Sequence, residues 1–452
     1  MNLINLQSKP KVILLPTGQS LFELFKCLEA SSKNCFFFES LGSNKDPLSR
    51  YSILGFDSEI IIKGNRGSLK VGRKVFKSAN PYELLRTMMP QHILSDEFNG
   101  GLVGYLSYEA VNFFEPHLKL KINKDFDLFK FGLFTDGVIY DHLTGEMKYF
   151  YFGKNRSKQI LRAARDSRFQ QAPAVRKLGT NLTPAKHSQL VKKVLKEIKA
   201  GNIFQCEVGL RRNYKISGSF LPIYESLREV NPSPYLYYLK LENQTLLGSS
   251  PELLLSVKKG QMETFPLAGT IARGKSQKED QALAKKLLED PKEQAEHKML
   301  VDLHRNDLGR VAKFGTVLIK KFMDIKKFSH VQHISSEIQG LLKTSEDMFS
   351  ALQSCFPGGV LTGAPKVEAI KIIARNEKHG RGPYGGAVGF FGFNGDCEFA
   401  ISIRSLFANK DKAFVQASGG IVYDSNAKKE YQEIVNKLQA MEVVLNKFTK
   451  RQ

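Results

Sequence analysis

The amino-acid sequence predicts an α/β protein of the α+β kind, with strands and helices arranged in two successive units. Three observations lead there. Short apolar runs bounded by turn residues recur through residues 11–150 and again after about residue 235, which is how strands read. Capped helices open at Thr183-Pro184 and Asp290-Pro291, each with a side-chain cap followed by proline at the first helical position. At 452 residues the chain exceeds one ordinary domain.

Taken in order, VILLP, NCFFFES, YSILGF, SEIIIKG, GLVGYLSY and GVIYDH read as strands, and SLFELFKCLEA as a helix. Residues 153–183 are charged and polar, with no sustained apolar periodicity after Ala164. This places a boundary between a first unit, 1–175, and a second, 183–447. The second opens on a helix with Leu190, Val191, Val194, Leu195 and Ile198 on one face, closed by Gly201. YLYYLKL, QTLLGSS, ELLLSVKK, GAVGFFGF and FAISIRSLF follow as strand-like segments. There is no internal repeat and no low-complexity tract.

Composition narrows the function classes. Lysine and arginine number 67 against 45 acidic residues, a net charge of +22. Nucleic-acid binding must therefore be weighed. The excess is scattered in doublets such as Lys192-Lys193 and Lys428-Lys429, without a long basic run, an RNP-type segment or zinc-finger spacing. A field that draws in small anions fits better. Cys27, Cys35, Cys206, Cys355 and Cys397 are few, odd in number and never in a CxxC pair, which argues against a disulfide framework or a zinc site. No membrane-length apolar run and no signal-peptide core occur, so the cytoplasm is the expected location.

Two helical stretches carry candidate chemistry. In DPKEQAEHKMLVDLHRNDLGR (290–310), Glu293 and Glu296 are three apart on one helix face, beside His297. In AKKEYQEIVNKLQAMEVVL, Glu430 and Glu433 repeat the spacing, with Lys437 one turn on. Four carboxylates on two helices suit one hard cation, and oxygen-only ligands suit Mg²⁺. The spacing equally fits a capping box at Glu293 and a solvated face at Glu430 and Glu433. Pro357–Lys366, PGGVLTGAPK, offers backbone N–H groups before a helix that Pro365 would start, an anion-binding device. SGGI (418–421) would bring backbone close to a ligand. Taken singly, each is an ordinary turn.

FPLAGT (265–270), KEQAEHKMLVDLHRNDLGRV (292–311), VQHISSEI (331–338), FPGGVLTGAPK (356–366), RGPYGGAVGFF (381–391), IRS (403–405) and SGGIVYDSNAKKEYQE (418–433) occur in this order. Together they resemble the chorismate-utilising enzymes, from about Thr183 to the end and more weakly before it. The resemblance implies layered antiparallel β-sheets flanked by outer helices, with an N-terminal regulatory unit. It implies a Mg²⁺ site with Glu296 and Glu433 as direct ligands and Glu293 and Glu430 acting through water, holding the ring carboxylate of chorismate. Thr270, Tyr384, Arg404, Lys437 and the backbone of Gly420 match substrate-binding positions. Glu252 in GSSPELLL matches the general acid for the leaving hydroxyl, and His333 the residue of the elimination step.

Two positions point to a branch. Relatives that add water carry a lysine base where this chain has Gln205, and the para-aminating branch commonly has a nucleophilic lysine where Ala268 stands. Ortho-amination, giving anthranilate and pyruvate, is the expected reaction, with the para branch as alternative. A silent scaffold and a basic nucleic-acid-binding protein are the alternatives of other classes. Val360, Ile271, Ala272, His304, Ser418 and the FPGG spelling depart from the ortho pattern. FFFES and NPSPY resemble a tryptophan feedback pocket, with Glu39 and Ser40 on one side and Pro232, Ser233 and Tyr235 on the other. No cysteine lies in a GxCxG context, so a separate glutamine amidotransferase subunit is expected to supply ammonia, making a hetero-oligomer.

Overall fold

The computed structural model describes residues 6, 9–16, 18, 20–41, 50–90, 97–163, 171–328 and 331–449. Part of the expected boundary, 164–170, lies outside them. The expected strand segments form strands, except that FAISIRSLF divides into two, Cys397–Ile401 and Ser405–Asn409, in different sheets; Ser20, Thr183 and Asp290 cap their helices through side-chain oxygens. Several strands were not named from the pattern, among them Phe129–Phe134, Glu146–Tyr151, Gln205–Ser217 and Ala174–Thr180. Ala174–Thr180 pairs with Gln205–Ser217, but almost all of it is exposed, so it carries no apolar signal.

The strands form two large sheets, and every strand pairing is antiparallel. The first runs from Lys11–Leu15 through Asn34–Glu39, Tyr235–Leu241, Gln244–Ser250, Ser405–Asn409, Lys412–Ile421 and Gln205–Ser217 to Ala174–Thr180. The second runs from Leu267–Ala272 through Val331–Leu341, Leu253–Lys258, Cys397–Ile401, Ala387–Gly392 and Gly101–Leu106 to Lys74–Lys77. Each sheet draws a contiguous block of strands from each sequence unit. The blocks meet at one ladder per sheet, Asn34–Glu39 on Tyr235–Leu241 and Gly101–Leu106 on Ala387–Gly392.

Side-chain alternation along the strands builds two cores. Phe36, Phe131, Phe134, Leu255, Phe391 and Phe399 fill the space between the sheets, with contributions from both units. Phe37, Tyr238 and Leu247 point the other way, onto the outer helices Leu21–Glu29, Leu221–Val230 and Ala427–Lys447. Helix Pro291–Gly309 lies on the second sheet, against Leu267–Ala272 and Val331–Leu341. No helix among the described residues is long and apolar enough to cross a membrane.

The shared ladders lead to a prediction. Residues 183–452 produced alone would leave the edges of Tyr235–Leu241 and Ala387–Gly392 unpaired beside an uncovered core, and self-association is expected. Light scattering on that fragment tests this; a stable monomer with native circular dichroism would show that the C-terminal block folds alone.

Candidate active site

The chain passes between the sheets twice in neighbouring positions. Gln244–Ser250 belongs to the first sheet and Leu253–Lys258 to the second, with Glu252 in the corner between them. Cys397–Ile401 and Ser405–Asn409 make the reverse passage, with Arg404 in the corner. The corners are tied by backbone hydrogen bonds. Ile401 N–H donates to Glu252 O (3.1 Å) and Ser249 N–H to Arg404 O (3.3 Å). Arg404 takes a positive φ of 53°, a conformation that side chains rarely adopt.

Glu252 is 2% exposed. Burial lifts its carboxyl to about 8, although the Leu267 N–H (3.3 Å), Arg404 and Lys437 pull the other way. It therefore carries a proton at neutral pH. His333 moves oppositely, to about 4, through burial and the positive charges of Arg404 and Lys437. Its Nδ1 lies 2.6 Å from Gly269 O and 3.2 Å from Thr270 Oγ1. A carbonyl oxygen only accepts, so Nδ1 holds the proton and Nε2 keeps a lone pair. Burial lowers the Arg404 guanidinium, opposed by Tyr384, Glu433, Glu252 and Glu207. Its guanidinium hydrogen-bonds to no other described residue. Donors unused at this depth suit a carboxylate.

The two acidic helix turns face each other. Asp290 caps the first by accepting from Lys292 N–H (2.9 Å) and Glu293 N–H (3.3 Å). Glu293 lies against Gly269, where an added Cβ would stand 2.9 Å from its Oε2. Burial raises Glu293 and carries Glu296 to about 7, and in both cases Glu430 and Glu433 push in the same direction. Burial pushes Glu433 up as well, but Lys437, at 2.7 Å, outweighs it and holds the carboxyl below its ordinary range. Lys292, 3.8 Å from Glu296, is the other local cation. Carboxylate oxygens crowded in this way fit a hard divalent cation in their chemistry. Among the described residues, no three His, Cys, Asp or Glu side chains converge closely enough to hold an ion as they stand.

Tyr384 is buried, with its hydroxyl 2.7 Å from Ser418 Oγ, and Lys437 Nζ donates to Ser418 O (3.0 Å). Gln205 and Gly420 lie on neighbouring paired strands, Gln205–Ser217 and Lys412–Ile421. Glu252, His333, Gln205, Arg404, Tyr384, Lys437, Gly420 and the four glutamates are thus brought to one end of the gap between the sheets. One acidic residue there was not singled out from the sequence. Glu207 is 5% exposed and sits two residues beyond Gln205, between Lys437 and Ser418. Its signal lay in that i,i+2 spacing inside an apolar strand. His297 is buried against Ser336 at 2.6 Å.

Two readings change. The PGGVLTGAPK loop is buried, and the N–H groups of Leu361 and Thr362 donate to Gly358 O and Gly359 O (both 3.0 Å), inside a single tight turn. Its Gly363 and Ala364 pair with Cys206 and Gln205, and Pro365 caps the helix Lys366–Asn376 instead of starting it. The FFFES and NPSPY stretches do meet, with Leu41 N–H donating to Ser233 O (3.1 Å). Glu39, Ser40 and Tyr235 line a cavity between the sheets that is partly open to solvent. Pro232 and Ser233 stand beside it, and Ser233 Oγ donates to Ser250 O (2.7 Å). The Glu39 carboxylate itself accepts from Tyr224 (2.7 Å) and Arg228 (2.9 Å).

The family model of chorismate binding enzymes matches residues 33–443. Anthranilate synthase component 1 of Leptospira biflexa is 51% identical, across 98% of this chain and 97% of that one. Aminodeoxychorismate synthase component 1 of Bacillus subtilis (strain 168) is 38% identical across 94% of each. The crystal structure of anthranilate synthase component I from Streptococcus pneumoniae TIGR4 is similar at a TM-score of 0.79 and 31% identity, covering 88% of this chain and 93% of that one. A match that spans nearly the whole sequence, with full-length relatives and a shared fold behind it, makes this chain a member of the chorismate binding enzyme family.

Proposed function

We propose that this chain is the large subunit of an anthranilate synthase, acting in the cytoplasm on the first step of tryptophan biosynthesis. It aminates chorismate at ring carbon 2, expels the 4-hydroxyl and eliminates pyruvate. The observation that carries the reading is the opposed state of two groups beside the same cations: buried Glu252 lifted to about 8 and half-buried His333 lowered to about 4.

Glu252 gives its proton to the departing hydroxyl, which leaves as water while ammonia forms the new C–N bond. His333, held through Nδ1 by Gly269 O, takes the carbon-2 proton on Nε2 as pyruvate leaves and the ring becomes aromatic. Arg404, Lys437, Tyr384 and the Gly420 backbone hold the enolpyruvyl carboxylate, and Thr270 borders the same space. Mg²⁺, held by Glu296 and Glu433 with Glu293 and Glu430 through water, would neutralise the ring carboxylate. Ala268 has no nucleophilic atom, so it favours this reaction over 4-amination to aminodeoxychorismate. Cys206 and Cys355, each pushed up to about 12 by burial, are poor thiolates, in keeping with ammonia from a separate glutaminase subunit. L-Tryptophan as feedback inhibitor is proposed to occupy the cavity lined by Ser40 and Tyr235. With Glu39 bound to Arg228, the other lining carboxylates, Glu97, Asp396 and Glu398, are the candidates for its amino group.

Chorismate, Mg²⁺ and ammonium are expected to give fluorescent anthranilate; an aminated product without pyruvate would favour the para branch, and no turnover with salt-dependent nucleic-acid binding would sink the enzyme reading. His333→Met accumulates the aminated intermediate, and Glu296→Gln raises the Mg²⁺ requirement; unchanged anthranilate yield or Mg²⁺ dependence removes the respective role. Glu252→Gln lowers amination roughly 10²–10⁴-fold. It also changes the pH dependence of stability. Folded Glu252 keeps a proton that the unfolded chain has lost, so the wild type loses stability as pH rises between 4.5 and about 8. That slope, up to about 1.4 kcal/mol per pH unit, should flatten in the variant during urea unfolding.

A further inference from the structure

Tyr384 reaches the site from RGPYGG (381–386), a turn that belongs to no strand or helix. Gly382 and Gly385 take positive φ there, 64° and 71°, so the turn has little stiffness of its own. The first sequence unit grips it. Glu109, buried in the short helix Tyr108–Phe113, accepts from Arg381 N–H through Oε1 and from Gly382 N–H through Oε2 (3.0 Å). Tyr108 N–H donates to Gly382 O (2.8 Å), and Asn123 Nδ2 to Gly380 O (3.0 Å). Arg211 adds a further hold, donating to Gly380 O (2.8 Å) and Arg381 O (3.1 Å). Both oxygens of Glu109 accept, which an ionised carboxylate does and an amide cannot.

From that turn the Arg381 side chain runs inward. It donates to Glu377 (2.8 Å to each oxygen), Leu361 O (2.7 Å) and Glu207 O (3.0 Å). Its Cζ stands 4.5 Å from the centre of the Tyr108 ring and 5.8 Å from that of Tyr384. These donors are spent inside the protein, in contrast to those of Arg404, so Arg381 braces the turn against the site. We infer that Glu109 is a positioning residue for substrate binding: its carboxylate fixes the Arg381–Gly382 turn, and the turn sets Tyr384 where its hydroxyl meets the enolpyruvyl carboxylate. The inference rests on the reaction proposed above and adds a residue of the first unit that governs the substrate site without touching substrate. Replacing one acceptor sets a buried N–H against another donor, and the turn must move to relieve it. Glu252 and His333 stand on other segments, so the chemical steps are left as they were. Tyr384 holds the carboxylate alike before and during reaction, so its displacement raises KM and spares kcat.

Steady-state kinetics of the full chain with chorismate, Mg²⁺ and ammonium chloride test this, read on the alkaline side of the value of about 7 to which burial lifts Glu109. Glu109→Gln is expected to raise the KM for chorismate about ten-fold, with kcat and the KM for ammonium changed by less than about two-fold. Tyr384→Phe should act in the same direction. In its background Glu109→Gln should add less than about two-fold, because the group it positions is gone. If circular dichroism shows that Glu109→Gln does not fold, Asn123→Ala removes the neighbouring hold on Gly380 and enters the same cycle. Effects that multiply in the double variant, a fall in kcat at constant KM, or an unchanged KM in a variant of lower melting temperature would each overturn the assignment. A wild type that does not consume chorismate with ammonium would instead remove the parent reading.

Discussion

The site depends on two neighbouring corners where the chain leaves one sheet for the other. Strands that stay in a sheet direct side chains to its faces, and their backbone groups are spent on the ladder. At Glu252 and Arg404 the backbone is handed between sheets, and each corner is fixed by a hydrogen bond from a residue at the other. An acid and a cation can then stand in the gap itself. The strain is concentrated at Arg404, whose positive φ is tolerated because paired strands hold both flanks.

Around those corners the charges are arranged by burial more than by pairing. Arg404 and Lys437 favour ionised carboxylates, yet Glu252 remains an acid because desolvation exceeds their pull. The same two cations add to burial at His333, keeping the imidazole neutral. Acid and base thus coexist at one pH without touching. On the open side, the four glutamates repel one another, with Lys292, Lys437 and Arg404 compensating in part, an arrangement that binding of a cation would relieve.

Among the described residues, none of those assigned above to contact substrate or metal comes from the first sequence unit, but that unit completes both sheets and lines the second cavity. That cavity shares the inter-sheet space with the site and is bounded by Asn34–Glu39 and Tyr235–Leu241, the ladder joining the two blocks in the first sheet. A ligand there would press on the joint itself.

The sequence by itself determined what short-range rules govern. Ser20, Thr183 and Asp290 start helices because a side-chain oxygen and the adjacent N–H groups lie within three residues. Alternation and turn residues marked about half of the strands, and ordered motifs pointed to the family and to most of the residues that now meet. Tertiary structure decided the rest. Ala174–Thr180 is a strand because Gln205–Ser217 offers it an edge, not because it hides a face. Glu39 turns toward Arg228, and the 357–366 loop spends its N–H groups internally, through partners that no local spacing reveals. Glu207 reads as one charge in an apolar strand until Gly420 and Ser418 are set against it. Protonation states follow the same division, since they depend on how much water each carboxyl or imidazole loses, and that is settled only when segments hundreds of residues apart close over it.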